Sequence, residues 1–284
     1  KFWVAKAASV KSKLFSPSDI QSIMKKAMVE RLGKVYGIQW FQENGESFPI
    51  RVFLMKDEVT VGLDSTGESL HKRGYRKLTA KAPIAENLAA ALIQLTPWNG
   101  SRILVDPFCG SGTFPIEAAM MAANMAPGMN RNFTAENWNH IVGKKNWYDT
   151  LDEARELVDL SVETDIQGYD ADEAMVAIAR ENAKLAGGEK MIHFQRRDVA
   201  QLSHPKKSGF IITNPPYGER ILEKREAEEL YRAFGRAVCT LPEGWRVSVL
   251  SSHTEFERTF GRTADKKRKL YNGMLKCDLF QYGR

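Results

Sequence analysis

Along this chain of 284 residues, apolar and polar positions alternate in two different rhythms that change near residue 83. In the first stretch, Ser16-Pro17-Ser18-Asp19 has the composition of a helix start. Ser16 suits the N-cap, Pro17 the first helical position and Asp19 a capping box. Ile20, Ile23, Met24, Ala27, Met28 and Leu32 then recur on one face at helical spacing, and Gly33 is the expected stop. Lys1–Ala7 reads as a strand, and Phe48–Met55 alternates as one. Lys56-Asp57-Glu58 turns the chain so that Val59–Leu63 pairs back as a hairpin. These elements predict a small α+β module over 1–70.

Beyond Pro83 the pattern becomes one of helices alternating with short apolar runs. Helices are predicted at 85–95, 114–123, 172–186 and 226–239. Strands are predicted at 102–105, 165–169, 192–196, 210–213 and 246–250. Strands that alternate with helices argue for a doubly wound, mostly parallel sheet. The tail differs, because 267–271 and 274–282 flank Asn272-Gly273, a strong hairpin signal. The fold class is therefore α/β, closed by an antiparallel C-terminal hairpin, with the α+β module in front. Residues 71–83, which include the basic run His71–Lys77, read as a linker, and 84–284 as the second domain. Residues 124–163 form a long connection holding Met125, Met129, Trp138 and Trp147. A small packed helical insertion is expected there, with a lid over the site as the alternative.

Composition adds boundaries. With 43% apolar and 27% charged residues the chain is an ordinary globular one. It has no apolar run of membrane-spanning length and opens with no signal-peptide pattern. It starts at Lys1, so a preceding segment is expected. Cys109, Cys239 and Cys277 form neither a metal spacing nor a disulfide framework, which predicts no metal and a cytoplasmic setting. The net charge of +6 is unevenly spread: residues 1–81 carry 15 Lys+Arg against 8 Asp+Glu, and the remainder 26 against 27. A polyanion would be held mainly by the first third, although a solubilising basic surface has the same signature.

The chemistry lies at the strand ends, where open α/β sheets bind ligands. Four successive strands end at Asp106, Asp170, Asp198 and Asn214. Asp106-Pro-Phe-Cys-Gly-Ser-Gly-Thr113 runs from a strand through a glycine turn into a helix. It is neither a GxGxxG fingerprint nor a phosphate loop. A carboxylate directly before the glycines repels a pyrophosphate and suits a ligand with a cationic end, such as S-adenosylmethionine. Asp170 is placed to accept from ribose hydroxyls and Asp198 to orient an adenine amine. An aspartate after a strand is also a common helix cap, and Asp172 is better placed to cap than Asp170.

Asn214-Pro-Pro-Tyr217 is the most specific element. Two consecutive prolines end a strand with a stiff backbone. The lone pair of a base amine is delocalised into its ring and must be localised before it can react. The Asn214 side-chain oxygen and the Pro215 carbonyl can each accept one of its N–H groups, and Tyr217 offers a face for stacking.

With these residues in view, the chain resembles the THUMP-domain RNA guanine-N2 methyltransferases, typified by bacterial 23S ribosomal RNA enzymes and their transfer-RNA relatives. The resemblance is carried by Asp106–Thr113, by Asn214–Arg220 (NPPYGER), by His71–Arg76 (HKRGYR) with Ala82–Asn87, and by an insertion over 126–133. It implies a Rossmann-like class I methyltransferase domain behind an N-terminally incomplete THUMP module. It also implies S-adenosylmethionine as cofactor and RNA as partner, ribosomal before transfer RNA. The expected cofactor contacts are Asp106, Phe108, Gly110, Ser111, Gly112, Thr113, Asp170, Asp198 and Asn214. Asn214, Pro215, Pro216 and Tyr217 are expected at the reacting base, and Lys72, Arg73, Arg76 and Lys77 on RNA. The alternatives are an N6-adenine or N4-cytosine nucleic-acid methyltransferase, a glutamine-amide methyltransferase acting on protein, and an RNA-binding assembly factor without activity.

Overall fold

The computed structural model describes residues 1–76, 83–218 and 221–283, so Lys77 lies outside the described residues. The chain divides into two compact units, Lys1–Ser69 with Asn132–Glu153, and Leu70–Arg131 with the chain from Ala154 onward.

In the first unit, β1 (Phe2–Val10) leads into α1 (Pro17–Tyr36) and back to β2 (Phe48–Met55), which lies parallel to β1. Ser16 caps α1 by accepting from the Asp19 amide. The helix does not stop at Gly33. It runs to Gly37, whose φ of 67° places it in the left-handed region, and the Gly33 carbonyl accepts from the amides of both Gly37 and Ile38. Lys34-Val35-Tyr36 contains no breaker, so the helix ends only where a residue adopts the terminating conformation. Lys56 and Asp57, both at positive φ, turn β2 into β3 (Glu58–Leu63), the backbone of a two-residue hairpin. Val4, Ile50, Val52 and Leu54 bury against Ile20, with Met24 and Met28 at the margin. Ile23, expected on that face, is 57% exposed.

The long connection contributes to this same unit. Trp138 is buried, stacks on Phe48 at 5.3 Å and donates through Nε1 to the Ser47 carbonyl at 2.7 Å. The Ala135 amide reaches the Ser65 carbonyl at 3.0 Å. The connection also carries α4 (Lys144–Glu156).

The second unit carries α2 (Glu86–Gln94), β4 (Leu104–Asp106), α3 (Thr113–Ala122), β5 (Ile166–Asp170), α5 (Glu173–Ala186), β6 (Ile192–Arg196), β7 (Ser208–Thr213), α6 (Ile221–Cys239), β8 (Gly244–Ser251), α7 (Phe256–Phe260), β9 (Lys266–Asn272) and β10 (Leu275–Tyr282). The strand order is β6-β5-β4-β7-β8-β10-β9, parallel from β6 to β8 and antiparallel through β10 and β9. One sheet face packs α2, α3 and α5 through Leu104, Ile212, Leu250 and Leu279. The other packs α6 and α7 through Val105, Ile211, Val249 and Phe280. Gly235 on α6 is required by this packing, since a Cβ there would lie 1.9 Å from the Phe260 carbonyl oxygen. The sequence pattern missed α7, whose single turn and a half is too short to show a period.

The C-terminal hairpin is present, but its turn is shifted by one residue. Asn272 pairs with Leu275, so Gly273 and Met274 form the loop, with Gly273 at φ 62°. Glycine at the first loop position is the requirement of a type II′ turn. The shift makes Asn272 a strand residue.

The stretch 71–76, expected as part of a linker, belongs to the second unit and buries Arg73 and Tyr75. Tyr75 is among the most completely buried side chains and donates to Glu117 of α3 at 3.0 Å. Gly74, at φ 97°, passes so close to Asn130 that a Cβ would meet its carbonyl oxygen at 2.2 Å. Among the described residues, no helix is long and apolar enough to cross a membrane, and no group of His, Cys, Asp and Glu is arranged to hold a metal.

Candidate active site

A cavity of about 950 Å³ opens at the carboxyl ends of the parallel strands. It sits at the topological switch point, where β4 has β5 on one side and β7 on the other. The end of β4 (Asp106) and the residue just after β7 (Asn214) are therefore neighbours, although they lie 108 positions apart in sequence. Asp106, Phe108, Gly110, Ser111, Thr113, Asp170 and Asp198 line this cavity together with Asn214, Pro215, Pro216 and Tyr217.

The turn after β4 is held from three directions. The Cys109 amide donates to the Tyr169 carbonyl at 2.8 Å, the Gly110 amide to Asp170 Oδ2 at 3.0 Å, and Asn182 of α5 to the Ser111 carbonyl at 3.1 Å. Gly110 stands at φ 50°, and a Cβ there would meet nothing within 4 Å. Its open side leaves the backbone free for close approach by a ligand. Gly112 has a different part. At φ 88° its missing Cβ makes room for Ala179 at 3.0 Å and Phe194 at 3.1 Å. It packs the turn onto α5 and β6 and is not among the lining residues.

Asp106 is 2% exposed, and its Oδ1 accepts from the Thr213 hydroxyl at 2.6 Å and from the Phe108 amide at 3.1 Å. Burial pushes its carboxyl up to about 7, with the Asp170 charge adding to the rise and the two hydrogen bonds opposing it. Asp170 is raised as well, burial outweighing the amides of Asp172 and Gly110 that favour its charged form. Two acids held above their ordinary range in one cleft mark a place that favours positive charge. Asp172 caps α5, accepting from the Ala174 amide. Asp198 both lines the cavity and caps the next single turn through the Ala200 amide at 2.8 Å.

The loop after β7 is braced at each end. Tyr231 of α6 donates its hydroxyl to the Pro216 carbonyl. Asn272 of β9 donates to the Tyr217 hydroxyl at 3.2 Å, and that hydroxyl donates to Asn214 Oδ1. With its oxygen already accepting from Asn272, the phenol directs its proton at Asn214, which fixes the carboxamide with Oδ1 on that side. Burial holds the Tyr217 phenol well above its usual range, so it remains a donor. Thr213, Asn182 and Tyr231 were not singled out from the sequence, and Asn272 was read only as part of a hairpin turn. Each sits on a helix face or strand whose local pattern gives no sign of its distant partner.

Two of the basic residues expected on RNA, Arg73 and Arg76, are engaged inside the protein. Arg73 is buried, donates to the Leu70 carbonyl at 2.7 Å and pairs with Glu117 at 3.5 Å. Arg76 donates to Thr113 Oγ1 at 2.5 Å and to the Ile84 carbonyl at 2.8 Å, and it pairs with Glu86 at 3.5 Å. Both serve buried carboxylates that are costly to leave alone, and Arg76 braces two residues of the cavity wall. Lys72 is exposed, with its carbonyl accepting from Arg131.

Residues 73–281 match the family described as RMKL-like, methyltransferase domain (UPF0020), and residues 1–64 match the THUMP domain. The chain is 46% identical over 276 residues to YpsC of Bacillus subtilis, a protein named as a candidate RNA methyltransferase. That alignment covers 96% of this chain and 71% of the relative. It is 40% identical over 235 residues to the ribosomal RNA large subunit methyltransferase K/L of Shewanella woodyi, covering 81% of this chain but only 33% of that protein. Among solved structures, a methylase candidate from Clostridium difficile 630 superposes with a TM-score of 0.95 at 50% identity, over 100% of this chain and 74% of its own. SMU.472, a candidate methyltransferase solved with SAH, gives 0.91 at 45% identity, over 100% and 75%.

Proposed function

Because the chain belongs to the RMKL-like methyltransferase family and carries a THUMP domain at its N-terminal end, we propose that it methylates RNA from S-adenosylmethionine, at the exocyclic N2 of a guanine in 23S ribosomal RNA. The observation that carries this reading is the meeting of Asp106, Gly110, Asp170 and Asp198 with Asn214–Tyr217 in one cavity. The names of the Bacillus and Shewanella relatives support RNA, and ribosomal RNA in particular.

The residues present fit the cofactor. The volume of about 950 Å³ accommodates it beside a base. Asp106 would hold the cationic amino-acid end, the open side of Gly110 would admit the backbone-facing part, Asp170 would take the ribose and Asp198 the adenine. The cofactor supplies an electrophilic methyl carbon on a sulfonium. The protein's part is to prepare the amine. Asn214 Oδ1, held by Tyr217, and the Pro215 carbonyl accept its two N–H groups, which withdraws the nitrogen lone pair from the ring and aims it into the cavity. The proton released afterwards goes to water, so no strong base is needed.

Asn214→Ala is expected to abolish transfer and leave the affinity for S-adenosylhomocysteine within about twofold, since the side chain is assigned to the amine. Loss of both in equal measure refutes the assignment. Mass-spectrometric mapping of nucleosides in RNA and in DNA from cells with and without the gene identifies the base. A missing N2-methylguanosine supports the reading. A missing N6-methyladenine in DNA would favour the adenine alternative. That outcome would agree with the name of a Listeria monocytogenes neighbour, a predicted N6-adenine-specific DNA methylase at 42% identity and a TM-score of 0.92.

A further inference from the structure

With Arg73 and Arg76 committed to buried carboxylates, the second unit needs other cations if it is to hold a nucleic acid. A second cavity, of about 290 Å³, collects them. Arg246 of β8 and Lys266 and Arg268 of β9 line it. Arg102 lies over Phe210, one of its walls, at 4.9 Å. Asp265 is the one carboxylate among its described lining residues, and it is engaged by the Gly283 amide at 2.8 Å.

This cavity and the active-site cavity lie at opposite ends of the same two elements. Pro83 and Ile84, just before α2, line the active site, whereas Leu95, Thr96 and Pro97, just after it, line the second cavity. β9 begins at Lys266 in the second cavity and ends at Asn272 in the active site, a run of about 20 Å at ~3.3 Å per residue. Met274, 97% exposed, follows at the lip.

Lysines on an edge strand also serve to block edge-to-edge pairing, and β9 is such an edge. That explanation fits one face of β9. There Lys267 is neutralised by Glu257 at 2.8 Å, and Lys269 stands opposite Asp278. It does not fit the other face, which carries Lys266 and Arg268. Nor does it account for Arg246, which sits on an interior strand, half-buried, with no edge to protect and no carboxylate partner among the described residues. Half-buried arginines in a concave, acid-poor site are suited to phosphate oxygens.

We propose that the face running from Arg246, Lys266 and Arg268 to the Asn272–Gly273 turn carries the phosphodiester backbone of the RNA whose target base enters the active site. The proposal rests on the RNA reading above and names the surface that serves it.

The test uses the whole chain, a fluorescent single-stranded RNA of mixed sequence, and S-adenosylhomocysteine as a control ligand. In Arg246→Gln/Lys266→Gln/Arg268→Gln, the slope of log Kd against log salt should fall by about 2, at ~0.7 per phosphate contact on a single strand. The melting temperature and S-adenosylhomocysteine affinity should hold, and Lys267→Gln should leave the slope alone. An unchanged slope in the triple variant, beside a wild type that binds RNA, overturns this surface and leaves the RNA reading standing. A wild type that binds S-adenosylhomocysteine but no RNA overturns both. If inorganic phosphate stabilises the wild type and not the triple variant, while the RNA slope is intact, the cavity is a small-anion site and the proposal also fails.

Discussion

Asp106 ties the proposed cofactor site to pH in a way that can be measured. Its carboxyl is held at about 7 by burial, so near neutrality the free protein carries it partly protonated. A ligand that places a cationic amine against it binds the carboxylate form, which requires the proton to leave. Between pH 8 and pH 6 the ionised fraction drops from about 0.9 to about 0.1, so affinity should weaken roughly tenfold, about 1.4 kcal/mol. Calorimetry with S-adenosylhomocysteine in buffers of different ionisation enthalpy should show release of about 0.9 proton per ligand at pH 6 and about 0.1 at pH 8. Asp106→Asn should bind weakly and lose this proton release. The same shift acts on stability. A carboxyl raised from 3.8 in the unfolded chain to about 7 in the folded one favours the native state fully below pH 4. That contribution disappears as pH rises through 7. Relative to the wild type, Asp106→Asn should therefore gain up to about 4 kcal/mol at pH 8 by urea denaturation, and close to nothing at pH 4. Wild-type affinity that stays flat from pH 6 to 8, with no proton release at pH 6, refutes the reasoning.

Arg76→Ala leaves Glu86 buried beside an empty place and removes the brace on Thr113 and Ile84. A loss of about 3–5 kcal/mol in urea denaturation is expected, and a loss below 1 kcal/mol would mean the pair is not buried as described. Trp138→Ala should cost about 3–5 kcal/mol in the first unit while leaving S-adenosylhomocysteine affinity unchanged. Limited proteolysis around residue 138 reports the former, and resistance equal to that of the wild type counts against this packing. Tyr231→Phe removes the donor to the Pro216 carbonyl. It should lower kcat with little change in cofactor affinity and cost about 1–3 kcal/mol of stability; an unaltered kcat would remove Tyr231 from the support of the loop.

Much of the second unit could be read from local pattern, because its strands and its helices other than α7 announce themselves within their own length. Buried strands read as short apolar runs, α5 is framed by Asp172 and Gly187, and the glycine turn and the double proline carry their conformations in their residue types. The order of the strand-end residues Asp106, Asp170, Asp198 and Asn214 was likewise visible. Local pattern does not specify which strands lie side by side. Adjacency of Asp106 and Asn214 depends on β7 joining the sheet next to β4, a consequence of topology. Only the folded chain brings Asn272 to Tyr217, Tyr231 to Pro216 and Thr213 to Asp106, since each pair lies on different elements or on strands paired across the sheet. In the cationic stretch 71–76, local pattern likewise leaves the partners of the arginines unread. Arginines look solvent-seeking in sequence, yet Glu117 and Glu86, buried on α3 and α2, need positive partners, and burial of one charge commits the other. Sequence by itself determined the elements and the chemical types at their ends; tertiary structure decided which charges are spent inside and which groups meet, because packing and desolvation act between residues far apart along the chain.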